Sequence, residues 1–182
     1  LMGIDGDQKR KKILVIGILW TGEPQLEKLL SSISLLKKYY RVTIKIVGFQ
    51  KNLPAHLEVW KFFSVHASAD FRIKLDADMM LQDQELLTNI LEQLSENCFF
   101  IFKVKDYITG SLINGVNIFT KGYEINYSAC DNVFPDRILG EKVELGYCGI
   151  SHCENASSRQ VAEFIGHRLR KAFNAKGLRL KY

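Results

Sequence analysis

The chain has 182 residues, with 25 Lys+Arg against 20 Asp+Glu and a formal net charge of +5. Hydrophobic residues make up 47% and charged residues 25%, which excludes disordered, collagenous and low-complexity classes. The length suits one domain, residues 1–182, that buries roughly 70% of its chain surface without needing disulfide or metal staples.

The apolar pattern alternates between strand and helix. Lys12–Leu19 is a continuous Ile/Leu-rich run, the mark of a strand buried on both faces. Trp20–Pro24 reads as a turn, and Gln25–Tyr40 carries Leu26, Leu29, Leu30, Ile33, Leu36 and Tyr40 at helical spacing. Val42–Phe49 is a second strand and Leu57–His66 a short helix. Phe71–Leu75 is a third strand, with Arg72 and Lys74 on the face opposite Phe71, Ile73 and Leu75, a face expected to meet the site or solvent. Asp83–Ser95 is helical; Cys98–Val104, Ser111–Phe119 and Val143–Ile150 are strands. Tyr123–Leu139 has mixed signals, and Ser157–Phe173 is a helix capped by Ser157 or Ser158. Strand–helix–strand order argues for an α/β domain with a largely parallel sheet, whose ligands bind at the carboxyl ends of the strands.

The positive charge is not spread over the molecule. Lys9–Lys12 and the six cations between Arg168 and Lys181 hold 10 of the 25 basic residues. Ile13–Gly166 carries 15 basic against 18 acidic residues. Basic tails are expected at 1–11 and 174–182. They suit an anionic surface, such as a membrane leaflet, better than a nucleic acid, for which no module is visible. The longest apolar runs are about eight residues, against the ~20 of a spanning helix. No secretory signal is expected, because the N-terminus is polar and no small-residue cleavage site follows. The four cysteines include no CxxC pair, and Cys148, His152 and Cys153 match no standard zinc spacing. A reducing, cytoplasmic setting follows, with peripheral contact at the inner face of the membrane an option.

The segment that carries chemistry is Phe71–Leu81, FRIKLDADMML. A buried strand ends in Asp76–Ala77–Asp78, and two carboxylates at i and i+2 past a strand end converge when the backbone bends. Together they make a hard oxygen site for Mg²⁺ or Mn²⁺. A cation there has open positions for the oxygens of a diphosphate.

This pattern resembles the nucleotide-sugar glycosyltransferases of the GT-A fold, which carry a hydrophobic strand ending in such a DxD. Leu14–Ile18 with the turn at Trp20–Pro24 looks like the family's opening strand and donor loop. Asn114–Phe119 resembles the strand that lines the donor and acceptor site, and Ser157–Ala172 is similar to a closing helix of bacterial family-two-like enzymes. The resemblance implies a GT-A (Rossmann-like) three-layer αβα sandwich with a mostly parallel central sheet. It also implies a metal-dependent transferase moving a hexosyl group from a nucleotide-diphosphate donor, a UDP-sugar above others, to a saccharide or lipid-linked acceptor. In that scheme Asp78 binds the metal directly, Asp76 binds it through water or contacts the ribose, and His152 is the third ligand. Thr21 and Glu23 contact the base or ribose, Gln50 or Asn52 replaces the Asp that often reads uracil, and Lys61 reaches the uridine or the phosphates. For the general base of an inverting reaction Asp131 is favoured, with Asp136 second and Asp106 weaker. The opening turn departs from the family-two pattern, and the Glu–Asp pair that often carries the base is missing. A non-catalytic nucleotide-sugar-binding module is therefore the alternative. A DxD phosphohydrolase is a lesser one, because that class places its nucleophilic Asp on the first strand.

Overall fold

The computed structural model describes residues 10–48 and 50–175. In chain order it contains β1 (Ile13–Trp20), α1 (Leu26–Ser34) with a 3₁₀ turn over Leu35–Lys38, β2 (Arg41–Gly48), α2 (Asn52–Val65), β3 (Phe71–Asp76), β4 (Met79–Leu81), α3 (Gln84–Gln93), β5 (Phe99–Asp106), β6 (Ser111–Thr120), β7 (Val143–His152) and α4 (Ser158–Ala175). The seven strands form one sheet in the order β2-β1-β3-β6-β5-β7-β4. Pairings β1–β2, β1–β3 and β5–β7 are parallel, while β6 and β4 run against their neighbours, so five strands share one direction. The expected α/β sandwich with a mostly parallel sheet is the observed fold.

Two apolar cores sit on the two faces of this sheet. Leu14, Ile16 and Ile18 of β1, with Phe71, Ile73 and Leu75 of β3, pack against Leu29 and Ile33 of α1 and Leu87 and Leu91 of α3. On the opposite face Val15, Leu19 and Val47 meet Val59, Trp60 and Phe63 of α2, together with Phe99 and Phe119. This two-sided burial is why β1 and β3 read as near-continuous apolar runs. Gly17 makes the close approach of α2 possible: a Cβ there would lie 2.6 Å from Val59 Cγ1. The aromatic rings of the second core interlock, with Phe99 stacked on Phe119 at 4.6 Å and Trp60 edge-on to Phe119 at 5.8 Å.

Several boundaries differ from the sequence reading. Helix α2 starts at Asn52 rather than Leu57. Pro54 is no obstacle there, because the first helical turn has no internal acceptor for its N–H groups. The strand β4 is only three residues long, too short to show a period. Tyr123–Leu139 contains no helix or strand, only a bridge between Asn126 and Leu139. Phe49 and most of the two expected basic tails lie outside the described residues.

The Arg72 and Lys74 expectation needs a correction. Arg72 is fully buried under α2 rather than facing site or solvent. Its guanidinium donates to the carbonyls of Phe63 at 3.2 Å and of Thr120 and Tyr123 at 2.8 Å each. It therefore joins the last turn of α2 to the β6 end and neutralises the helix's negative pole. Burial pulls its pKa down to about 10, still charged at neutral pH. Lys74, two residues on, does reach the cleft.

Only Ala77 and Asp78 separate β3 from β4, a Cα span of at most about 11 Å. Three strands nevertheless lie between them in the pairing order. The carboxyl ends of β3, β5 and β7 must therefore converge, and that convergence builds the site.

Candidate metal and nucleotide site

Each part of the site comes from a strand end. Asp76 closes β3, Asp106 closes β5, His152 closes β7, and Asp78 sits in the bend before β4. The β4–β7 pairing sets Met79 against His152, and the Cys153 N–H donates to the Asp78 carbonyl at 3.0 Å. This backbone register brings three side chains together. Asp78 Oδ2 lies 3.4 Å from His152 Nε2, Cys153 Sγ lies 3.0 Å from the same oxygen, and Cys153 Sγ lies 3.4 Å from His152 Nε2. Asp78, His152 and Cys153 form the group suited to hold a metal ion among the described residues.

His152 is fixed from behind. Its Nδ1–H donates to Asp106 Oδ1 at 2.8 Å. Asp106 is completely buried, and its other oxygen accepts from the Thr109 backbone N–H at 2.9 Å and from the Thr109 hydroxyl at 2.5 Å. Burial pushes the Asp106 carboxyl upward, but these hydrogen bonds outweigh it and hold it below the usual carboxylate value. Both oxygens are thus occupied, so Asp106, a weaker candidate for the base, positions His152 instead. Burial opposes charge on His152, yet hydrogen bonds to Asp78, Cys153 and Asp106 push its pKa up to about 11. Its ring lies between two carboxylates, with Nδ1 facing Asp106 and Nε2 facing Asp78. Burial raises the Cys153 thiol to about 11.

The chemistry fits a divalent cation. The Asp78 Oδ1 is buried and has no hydrogen-bond partner, which is costly for a carboxylate oxygen unless something positive meets it. A buried histidine whose second nitrogen is held by a carboxylate is the usual arrangement around a bound metal. Cys153 adopts φ +57°, a left-handed backbone uncommon outside glycine.

Beside this group opens a cleft of about 780 Å³. Its floor carries Asp76 and Lys74, paired at 2.7 Å, with His56 at the start of α2. Burial disfavours the Asp76 carboxylate, but Lys74 outweighs this and lowers its pKa. Lys103, Arg168 and Lys171 supply positive charge to the walls, and Asp136 and Glu144 negative charge. The helix α4 forms one wall through Phe164, His167, Arg168 and Lys171, and the Phe164 ring lies 5.5 Å from that of His152.

The remaining sequence-derived candidates are placed elsewhere. Asp131 caps a turn, accepting from the Val133 and Phe134 N–H groups at 2.7 and 2.6 Å, and does not line the cleft. Asp136 does, 3.7 Å from Lys171. Thr21 and Glu23 bond each other at the exposed end of β1. Gln50 donates to Glu58 at 2.7 Å, and Lys61 lies on the exposed side of α2, away from the cleft. Asn52, the other uracil candidate, does line it. The sequence reading weighed Cys153 only with Cys148 and His152 and set it aside for want of a standard zinc spacing, because its partner Asp78 lies 75 residues away in the chain. The one local signal is its position beside His152.

No protein-family model matches this chain, and no curated protein matches it. Among solved structures, A197 from STIV is similar with a TM-score of 0.52 at 10% identity, over 74% of this chain and 82% of that one. A glycosyltransferase involved in the glycosylation of the major capsid of PBCV-1 gives 0.47 at 14% identity, over 84% and 98%. The 4-diphosphocytidyl-2C-methyl-D-erythritol synthase from Anaerococcus prevotii gives 0.43 at 13% identity, over 90% and 99%. The likeness to A197 is one of fold.

Proposed function

We propose that the protein is a metal-dependent glycosyltransferase of GT-A type, moving a sugar from a nucleotide-diphosphate donor, a UDP-sugar in the first instance, to a saccharide or lipid-linked acceptor. The observation that carries this reading is the Asp78–His152 pair, braced by buried Asp106, at the edge of a cleft with a cationic wall. Asp78 and His152 would hold Mn²⁺ or Mg²⁺, with Asp76 beside them on the β3 end. A cation so held neutralises the charge that develops on the leaving diphosphate. The chain's own groups do the rest. Asp106 holds the proton on Nδ1 of His152, so that Nε2 faces Asp78. Lys74, Lys103 and Arg168 offer positive charge for diphosphate oxygens. Asp136, rather than Asp131, takes the base role in this scheme, because it lies in the cleft. Burial works against its charge, but Lys171 and Lys74 keep its pKa low and the carboxylate ionised at neutral pH.

One observation favours the non-catalytic binding module as a second reading. The cleft carboxylates are already paired: Asp76 with Lys74, Asp136 with Lys171, and Glu144 with Lys142 at 3.3 Å. A paired carboxylate is a weak base.

Thermal melts with UDP and GDP, each with and without Mn²⁺, test the shared part of both readings. Stabilisation by a nucleoside diphosphate that requires Mn²⁺ and disappears in Asp78→Ala is expected. A shift that survives in Asp78→Ala, or no shift at all, overturns the site. Turnover of a UDP-sugar that drops in Asp136→Asn then separates the enzyme from the module.

The acceptor side of the proposal is a lipid-linked sugar at an anionic bilayer. Among the described residues no helix is long and apolar enough to cross a membrane. On α4, however, Ile165, Leu169 and Phe173 recur every fourth residue and are 48%, 53% and 37% exposed. That places them in one stripe, with Arg168 and Arg170 to its sides. An apolar stripe edged by cations fits an anionic leaflet. The stripe lies on the side of α4 away from Phe164, His167 and Lys171, so the helix would rest on the bilayer with its other face lining the cleft.

A further inference from the structure

Resting on the metal site proposed above, we infer that Cys153 is a third protein ligand, so that the centre is an Asp–His–Cys site that takes a thiophilic divalent cation, Zn²⁺ or Co²⁺, in preference to Mg²⁺. The three donor atoms are Asp78 Oδ2, His152 Nε2 and Cys153 Sγ, separated by 3.4 Å (O–N), 3.4 Å (N–S) and 3.0 Å (O–S). Bond lengths of about 2.0–2.3 Å at tetrahedral angles put neighbouring donor atoms roughly 3.4–3.6 Å apart. The observed triangle is thus one face of a tetrahedron, contracted by a few tenths of an ångström along its O–S edge. A cation would need little rearrangement to sit behind that face.

Three further observations point the same way. The sulfur is buried, with Cys153 only 3% exposed, so it is not a surface thiol that happens to lie near a carboxylate. Its backbone is held at φ +57°, and the Cys153 N–H is tied to the Asp78 carbonyl, which together fix the thiol toward Asp78. The opposite Asp78 oxygen, Oδ1, is buried without a partner, which a neutral thiol donating to Oδ2 does not relieve. Donor softness then sets the preference. A thiolate selects zinc-like ions, whereas Mg²⁺ keeps to oxygen ligands and its own water. Three protein ligands also leave a fourth position open, the arrangement of catalytic rather than structural zinc sites. The open position is where a diphosphate oxygen would bind. On binding, the thiol proton leaves to solvent as the sulfur–metal bond forms, with no change of oxidation state.

The test uses Co²⁺ as a spectroscopic probe on the full chain with its cysteines reduced. A sulfur-to-cobalt charge-transfer band in the near ultraviolet is expected for the parent chain and is absent in Cys153→Ser. The band persists in Cys98→Ser and Cys130→Ser. Affinity for Zn²⁺ falls roughly tenfold or more in Cys153→Ser, while the weaker affinity for Mg²⁺ is unchanged. Should the serine variant fail to fold by circular dichroism, Cys153→Asn, which tolerates the left-handed backbone, replaces it. Co²⁺ binding to the parent chain without the band, and with equal affinity in the Cys153 variant, overturns the sulfur ligand and leaves the Asp78–His152 site standing. Binding of neither Co²⁺ nor Mn²⁺ overturns both together.

Discussion

His56 sits in the floor of the cleft, 6% exposed, with its Nδ1–H donating to the Asn52 carbonyl at 2.9 Å. Burial and the facing Lys74 pull its pKa down to about 4, against the opposing pull of Asp76 and Asp136. A histidine held neutral in the fold stabilises it fully above its unfolded pKa of about 6.5. That contribution is lost as pH falls through the window from about 6.5 to 4, and the full loss is on the order of 3 kcal/mol. Denaturant melts between pH 7 and pH 4 should show this slope, and His56→Gln should flatten it. An unchanged slope would assign the acid loss to other groups. Asp106→Asn makes a different prediction: cation affinity falls about 10- to 100-fold through the loss of the group that orients His152. Calorimetric titration with Mn²⁺ measures it, and an unaltered affinity would remove Asp106 from the site.

Elements succeed or fail on their ends. Asp83 caps α3 by accepting from the Leu86 N–H at 2.8 Å, and Asp83→Ala should cost about 1 kcal/mol in a urea melt. Gly17→Ala should cost more, about 1–3 kcal/mol, because the new methyl collides with Val59 on α2 rather than with a side chain free to move. A melt within error of the parent chain would show that α2 can shift away from β1. The long elements are legible: β1, β3, α3 and β5–β7 lie where apolar periodicity places them, give or take a residue or two, while the helix expected over Gln25–Tyr40 is α-helical only to Ser34 and tightens to a 3₁₀ turn over Leu35–Lys38. The short β4 is not legible, because three residues carry no period and its strand character comes from pairing with Ile150–His152. Arg72 was misplaced for the same kind of reason. Alternation set it opposite Ile73 correctly, but only the packing of α2 decides that this face is a core with three carbonyls waiting for a guanidinium.

At the scale of the whole molecule, α4 has two faces: Phe164, His167 and Lys171 line the cleft, and Ile165, Leu169 and Phe173 form the exposed stripe proposed to meet a bilayer. Sedimentation with vesicles should show binding that needs anionic lipid and weakens with salt. Replacing Ile165 and Leu169 together with Ser should abolish it while leaving the Mn²⁺-dependent melt unchanged. Equal binding to neutral vesicles would sink the proposal.

The chain-local features of this protein follow from neighbouring residues alone. The apolar strands, the alternation that makes the fold α/β, and the Asp76–Ala77–Asp78 bend are all readable because the groups involved sit within a few positions of one another. The +5 charge is likewise local, lying at the ends of a slightly acidic body. The site is not local. Cys153 meets Asp78 across 75 residues, and Asp106 meets His152 across 46. The first depends on β4 leaving the β3 end and pairing with β7, the second on the parallel pairing that sets Asp106 of β5 against His152 of β7. Only the tertiary structure could select Asp136 over Asp131 for the cleft, retire Asp106 to orienting a histidine, and set a sulfur beside the expected oxygen and nitrogen.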